Sequence, residues 1–251
     1  MKKTNRGLII AVIALLSIIV LLLAGTLGFA ITSGGRHFSF NRWENHNNVV
    51  YDESYDSNNI SDIIVNSDCG DITVKHSNDE KIRIVARGSK AENINVTADS
   101  NKLTLNISNT NKMTRFPFNN YGNISSDIDI YLPDNTPERF EIHSNLGDVD
   151  IDTKLNTNLE INNNCGDISA IDLGSCFNIH TDLGDIDIKR ININQNSSVT
   201  TNMGDIEIEY TNPVNIDYST SLGTSDIKNN HTDSSITLKV QTDLGDIEIN
   251  D

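Results

Sequence analysis

From Ile60 onward apolar residues occupy alternate positions in short runs, and the runs keep breaking at the dipeptide Gly-Asp. With the residue before each glycine numbered zero, positions −6 and −4 carry Phe140/Ile142, Leu159/Ile161, Phe177/Ile179, Ile216/Tyr218 and Leu238/Val240. Positions +3 and +5 carry Val149/Ile151, Ile168/Ala170, Ile186/Ile188, Ile206/Ile208 and Ile247/Ile249. Alternation with a period of two over such short runs predicts half-buried strands. No stretch of this part shows a helical period, so the fold expected is all-β.

The strand pairs repeat. SDCGDITVK begins at Ser67, SNLGDVDID at Ser144, NNCGDISAI at Asn163, TDLGDIDIK at Thr181, TNMGDIEIE at Thr201 and TDLGDIEIN at Thr242, with a degenerate TSLGTSDIK at Thr220. The glycines Gly70, Gly147, Gly166, Gly184, Gly204, Gly223 and Gly245 follow one another at intervals of 77, 19, 18, 20, 19 and 22 residues. A further copy without glycine, SSDIDIYLP at 125–133, aligns Ser126 with the glycine 21 residues before Gly147. A fixed period of this size predicts stacked repeats. Glycine allows positive φ at a corner, and an adjacent Asp bonds nearby backbone N–H groups. The expected structural corners are therefore Gly70–Asp71, Gly147–Asp148, Gly166–Asp167, Gly184–Asp185, Gly204–Asp205 and Gly245–Asp246. A third apolar mark follows at Leu155, Leu173, Ile193, Val214 and Ile236. Three strand-like pieces in about 19 residues describe one coil of a parallel β-solenoid, its coils stacked at roughly 4.8 Å.

The array is expected to run in chain order from about residue 124 to the end. Residues 60–110 instead predict two antiparallel hairpins, ITVKHSNDEKIRIVARG and NINVTADSNKLTLNIS, capping the first coil. The last coil, ending IEIND, shows no evident cap. Position zero holds Leu146, Cys165, Leu183, Met203, Leu222 and Leu244, all expected inside. Cys69 and Cys165 share that position and read as small buried hydrophobes. Cys176 falls on an outward or turn position, and a Cys165–Cys176 disulfide is the alternative for that pair. On this register Leu183→Asp is expected to unfold the array by burying a charge.

The N-terminus is a different object. Residues 1–7 are basic, and 8–31 form an uncharged apolar run long enough to span a bilayer as one helix. A cleaved signal has a shorter apolar region, so an uncleaved single-pass anchor is expected. Lys2, Lys3 and Arg6 place its N-terminus in the cytoplasm. Residues 32–58 read as an extracellular tether, whose FSFNRW (38–43) is able to rest at the membrane interface, and 59–251 as the β-repeat domain. The expected localisation is the cell membrane, with the main domain outside.

The chain carries 35 acidic against 19 basic residues, a net charge of −16. This argues against a nucleic-acid or anionic-lipid partner, since binding phosphates needs a basic footprint. The sharpest chemical candidate is the aspartate column, and Asp148, Asp167, Asp185 and Asp205 are the calcium candidates within it, since Ca²⁺ takes six to eight oxygens. The nine-residue double-glycine signature of calcium-binding rolls is absent, and corner capping is the competing reading. His143 and His180 share position −3 two coils apart, roughly 10 Å, too far to share zinc. The acids form rows and arginine is confined to Arg139 and Arg190 after residue 115, so no catalytic constellation, cofactor or enzymatic role is expected.

The tandem [ST]-x-φ-G-D-[IV]-x-[IVL] units, with the DIYLPDNTP segment before them, resemble the bacterial putative-adhesin family of unknown function, which includes LiaG-like proteins of cell-envelope stress operons. The resemblance covers about residues 60–251. It implies a solenoid-like domain, often on a membrane anchor, with no established catalytic residues. The Gly-Thr-Ser at 223–225 departs from the motif. Two functions are expected from the whole reading: a surface interaction or adhesin-like module contacting wall polymer or another protein, or an accessory of an envelope stress response acting with a membrane protein.

Overall fold

The computed structural model describes residues 48–88, 94–108, 126–134 and 137–251. The expected membrane anchor, residues 8–31, lies outside the described residues. Among those described, no helix is long and apolar enough to cross a membrane. Seventeen strands and one short helical turn, Ser57–Asn59, make up this part. They are β1 (Val49–Asp56), β2 (Asp62–Ser67), β3 (Ile72–His76), β4 (Lys81–Gly88), β5 (Ile94–Asp99), β6 (Lys102–Ile107), β7 (Ser126–Leu132), β8 (Arg139–Ser144) and β9 (Val149–Cys165). β10 (Ile168–Leu183), β11 (Ile186–Ile193), β12 (Ser197–Met203), β13 (Ile206–Tyr210), β14 (Asn215–Leu222), β15 (Ser225–Ile227), β16 (Thr237–Leu244) and β17 (Ile247–Asn250) follow.

The strands stack in parallel as the repeat predicts. Strands before each corner form one side, in the order β6, β2, β8, second half of β9, second half of β10, β12, β16, β14. Strands after the corner form the next side, in the order β7, β3, first half of β9, first half of β10, β11, β13, β17, β15. In the middle coils a third side is built around Leu155, Leu173 and Ile191. Ile161, Ile179 and Val199 from the first side meet Ile168, Ile186 and Ile206 from the second, all at most 1% exposed. Such a column is stabilised by about 1.5–3 kcal/mol for each fully buried aliphatic side chain.

The stacking order differs from the chain order at both ends. β2–β3 is an interior coil, because β6–β7 packs outside it. The 72–88 stretch is therefore no hairpin: β7 inserts between β3 and β4, and β4 pairs antiparallel with β7 instead. Only the 94–107 pair, β5 with β6, forms the expected hairpin. β1 pairs antiparallel with β4, so residues 49–56 of the expected tether belong to the folded sheet. At the other end the final pair β16–β17 slips between β12–β13 and β14–β15. The chain terminus is thus inside the stack, and the degenerate 220–228 copy is the outermost coil.

That order follows from a polarity in the corner. A Cβ on Gly184 would lie 2.0 Å from the Gly166 carbonyl oxygen, and the residue's φ is +153°. Glycine is needed wherever a coil sits on that side. Asp167 Oδ1 accepts the Asp185 N–H at 2.8 Å, serving the neighbour on the opposite side. The first coil has no neighbour of the first kind and carries Ser126 in place of glycine, yet keeps Asp127, which accepts the Asp71 N–H at 3.3 Å. The last coil has no neighbour of the second kind and carries Thr224 in place of aspartate. It keeps Gly223, whose Cβ would meet Gly245 O at 1.9 Å. At the corner dipeptide itself, each degenerate copy lacks only the residue that would serve a neighbour on its open side.

Sheet edges are treated differently at the two ends. Antiparallel β5 and the acidic β1 close the first, as charged edge strands do. At the last coil Asn230 accepts the Ile216 N–H and donates to the Ile216 carbonyl, both at 2.9 Å, occupying part of the β14 edge.

Candidate interaction surface

Three ladders run along the corner between the first two sides. The aspartate ladder is continuous: the N–H groups of Asp148, Asp167, Asp205, Asp246 and Thr224 donate to Oδ1 of Asp71, Asp148, Asp185, Asp205 and Asp246 at 3.0, 2.9, 2.8, 2.7 and 2.6 Å. The four calcium candidates each spend one carboxylate oxygen on a backbone donor. Among the described residues no three His, Cys, Asp or Glu side chains converge as a metal-holding group.

The second ladder was not singled out in the sequence, although its residue stood in the motif. Position −2 is buried and polar: Thr181, Thr201 and Thr242 are at most 2% exposed. Their hydroxyls donate to the carbonyls of Gly166, Gly184 and Gly204 at 3.2, 3.1 and 3.0 Å. Asn163 does the same with its amide, reaching Gly147 O and Gly166 O. The glycine carbonyls turned inward at the corner would otherwise lack a donor, which is costly in a buried site. Ser67 and Ser144 hold the same column, and their hydroxyls find no partner.

The third ladder corrects the expected register. Position zero points outward: Leu146, Leu183, Met203, Leu244 and Leu222 are 51, 41, 46, 44 and 68% exposed. Cys69 and Cys165 are half-buried, and Cys165 and Cys176 are thiols with no bond between them. The alternation −6, −4, −2 ends at the glycine, because the chain bends there and the preceding side chain lands on the convex side of the bend. Five residues are immediate neighbours across coils: Cys165, Leu183, Met203, Leu244 and Leu222. From Leu146 to Leu222 the ridge is about 24 Å long at about 4.8 Å per coil.

Both flanks are polar and acidic. Asn164, Asp182, Asn202 and Asp243 precede the ridge residues, and Asp167, Asp185, Asp205 and Asp246 follow the glycines. Asn202 donates to Asp182 at 2.7 Å, and Asn164 to Asn145 at 3.0 Å. His143 and His180 stand two coils apart with Asn162 between them, and His180 bonds Thr200 at 2.9 Å. On the adjoining second side lies another acidic row, Asp187, Glu207, Glu248 and Asp226, one behind the other.

Two other features stand away from the ridge. A pocket of about 250 Å³ is lined by His76, Asp134, Lys154, Thr153 and Asn156 with Leu132 and Pro133. Its His76 and Asp134 are 3.7 Å apart, with Asp134 almost wholly exposed. In the outermost first coil, Asp129 is buried and bonded by Lys75 at 2.8 Å and by Arg87. Burial pushes the Asp129 carboxyl up, but the two cationic donors outweigh it and hold it below the ordinary carboxylate range.

Solved structures resemble this chain at low identity and low TM-score. A putative cell adhesion protein from Clostridium sporogenes is 14% identical, with 80% of this chain and 98% of that one covered at a TM-score of 0.43. A putative adhesin from Bacteroides fragilis is 17% identical, covering 79% and 96% at 0.43. A putative lipid binding protein from Parabacteroides distasonis is 14% identical, covering 81% and 96% at 0.33. Likeness of this degree says nothing of ligand or partner. No curated protein matches. Residues 60–250 match the Toastrack DUF4097 family, and the chain belongs to it.

Proposed function

We propose that this chain is a membrane-anchored extracytoplasmic solenoid that acts as a surface interaction module, adhesin-like in the sense that it holds a partner without transforming it. The observation that carries the reading is the ridge. Monomeric proteins seldom line up large exposed apolar side chains without a use for them. Here five of them stand in register on a scaffold whose packing fixes their spacing. Solenoids offer extended surfaces of this kind for binding. The anchor at 8–31 would present the ridge outside the membrane.

The test is a photocrosslinking amino acid at Met203 in the full-length protein in living cells. The expected result is a defined set of adducts that disappears in Leu183→Ser/Leu244→Ser, with the melting temperature retained. Adducts indifferent to those changes would reject the ridge as the working surface. Adducts with an integral membrane protein would make the chain an accessory of that protein, and adducts with wall polymer would make it an adhesion scaffold.

A further inference from the structure

We propose that the ridge docks a cationic amphipathic helix of a polypeptide partner, an assignment that rests on the interaction-module reading above. The ridge places one apolar side chain about every 4.8 Å over consecutive coils. An α-helix laid along it advances about 5.4 Å per turn. The mismatch is about 0.6 Å per coil, so one apolar residue per turn stays against Cys165, Leu183, Met203, Leu244 and Leu222 over the whole run. An extended strand laid the same way repeats its same-face side chains every 6.6–6.8 Å, roughly, and loses step within two coils. An amphipathic helix presents such a seam as apolar anchors spaced i, i+3, i+4 and i+7 along one face.

Charge selects the helix. Asp182 and Asp243 border the seam on one side, and Asp185, Asp205 and Asp246 on the other. Each of the last three has one carboxylate oxygen committed to the backbone, and the side chains remain exposed. A partner whose apolar stripe is bordered by Lys and Arg meets complementary charge along both flanks. A second copy of this chain would set carboxylate row against carboxylate row, in a protein of net charge −16. An anionic bilayer surface is repelled for the same reason.

The experiment uses the full chain in nanodiscs of zwitterionic lipid and two labelled synthetic helices of about 20 residues. Both carry leucine at i, i+3, i+4 and i+7; the remaining positions are lysine in one and glutamate in the other. Fluorescence anisotropy should show saturable binding of the lysine helix, weakened about tenfold or more in Leu183→Ser/Met203→Ser/Leu244→Ser. The binding should fall as salt rises from about 50 to 500 mM, and the glutamate helix should not bind. Leu222→Ser, at the most exposed ridge position (68%), is a second variant that leaves the core untouched. Equal binding of the lysine helix to all variants, or equal binding of both helices, overturns the assignment. A wild-type dimer that the ridge variant dissolves overturns it in favour of self-association. Ridge-dependent crosslinks at Met203 without discrimination between the helices would sink this assignment alone and leave the interaction module standing.

Discussion

One added methyl group at the corner would have nowhere to go. Gly184 combines a φ of +153° with a neighbouring carbonyl 2.0 Å from where its Cβ would stand. Gly184→Ala is expected to cost about 2–5 kcal/mol, from strain plus forced displacement of packed backbone; urea unfolding measures it. One residue earlier, Leu183→Asp should change stability by under about 1 kcal/mol, since the side chain is 41% exposed. That reverses the expectation drawn from the alternation alone. Asp185 separates charge from hydrogen bonding. Asp185→Asn keeps an acceptor for the Asp205 N–H and should melt near wild type, whereas Asp185→Ala loses the 2.8 Å bond and about 1 kcal/mol. Equal losses in both would show that the charge matters, as a bound cation requires. At this scale most apolar core positions were legible in the sequence, but Tyr218, expected inside at position −4 and 44% exposed in the outermost coil, and position zero were not. The alternation rule has no term for a bend, and the bend sets which way that residue faces.

Among elements, β7 shows how a coil at the end differs from one inside. Its Asp129 faces β4, the antiparallel cap, and is clasped by Lys75 of β3 and Arg87 of β4. Arg83 of β4 adds a two-pronged pair with Asp52 of β1 at 2.7 and 2.6 Å. Because the Asp129 carboxyl is held below its unfolded value, its contribution is complete above the ordinary carboxylate pKa and is lost as pH falls through the lowered native one. Asp129→Asn should therefore melt lower than wild type at pH 7, by about 1–3 kcal/mol. The two proteins should converge as pH drops below about 4. A gap that stays constant down to acid pH would show that the clasp is not electrostatic. The strands of 72–76 and 81–88 were legible from their alternation, but not their separation by β7. Period-two patterning says which face of a strand is buried, and is silent on which strand lies beside it.

For the whole molecule the consequence of the stacking order is a protected C-terminus. β16–β17 has a coil on each side, while β14–β15 has one. Native-state hydrogen exchange should therefore find residues 238–249 slower than 216–227, although the former end the chain. Fast exchange at 247–249 together with slow exchange at 216–222 would restore the sequential order. The same order explains why the chain closes itself off. A coil whose corner lacks aspartate offers no carboxylate for a further Asp N–H, and a coil whose corner lacks glycine has no slot for a preceding carbonyl.

The sequence by itself determined the coil: its period, its aliphatic columns, its glycine-aspartate corner and the all-β class, because alternation and φ requirements are local and recur in each repeat. Even the two ends are written there, as Ser126 without glycine and Thr224 without aspartate, once the direction of the ladder is known. The tertiary structure alone decided the order in which equivalent coils stack, since coils with the same edge pattern pair interchangeably by local rules. It alone turned position zero outward as well. The exposed ridge exists because a bend between two sheets puts a leucine on its convex side, a geometric fact that only the folded corner contains.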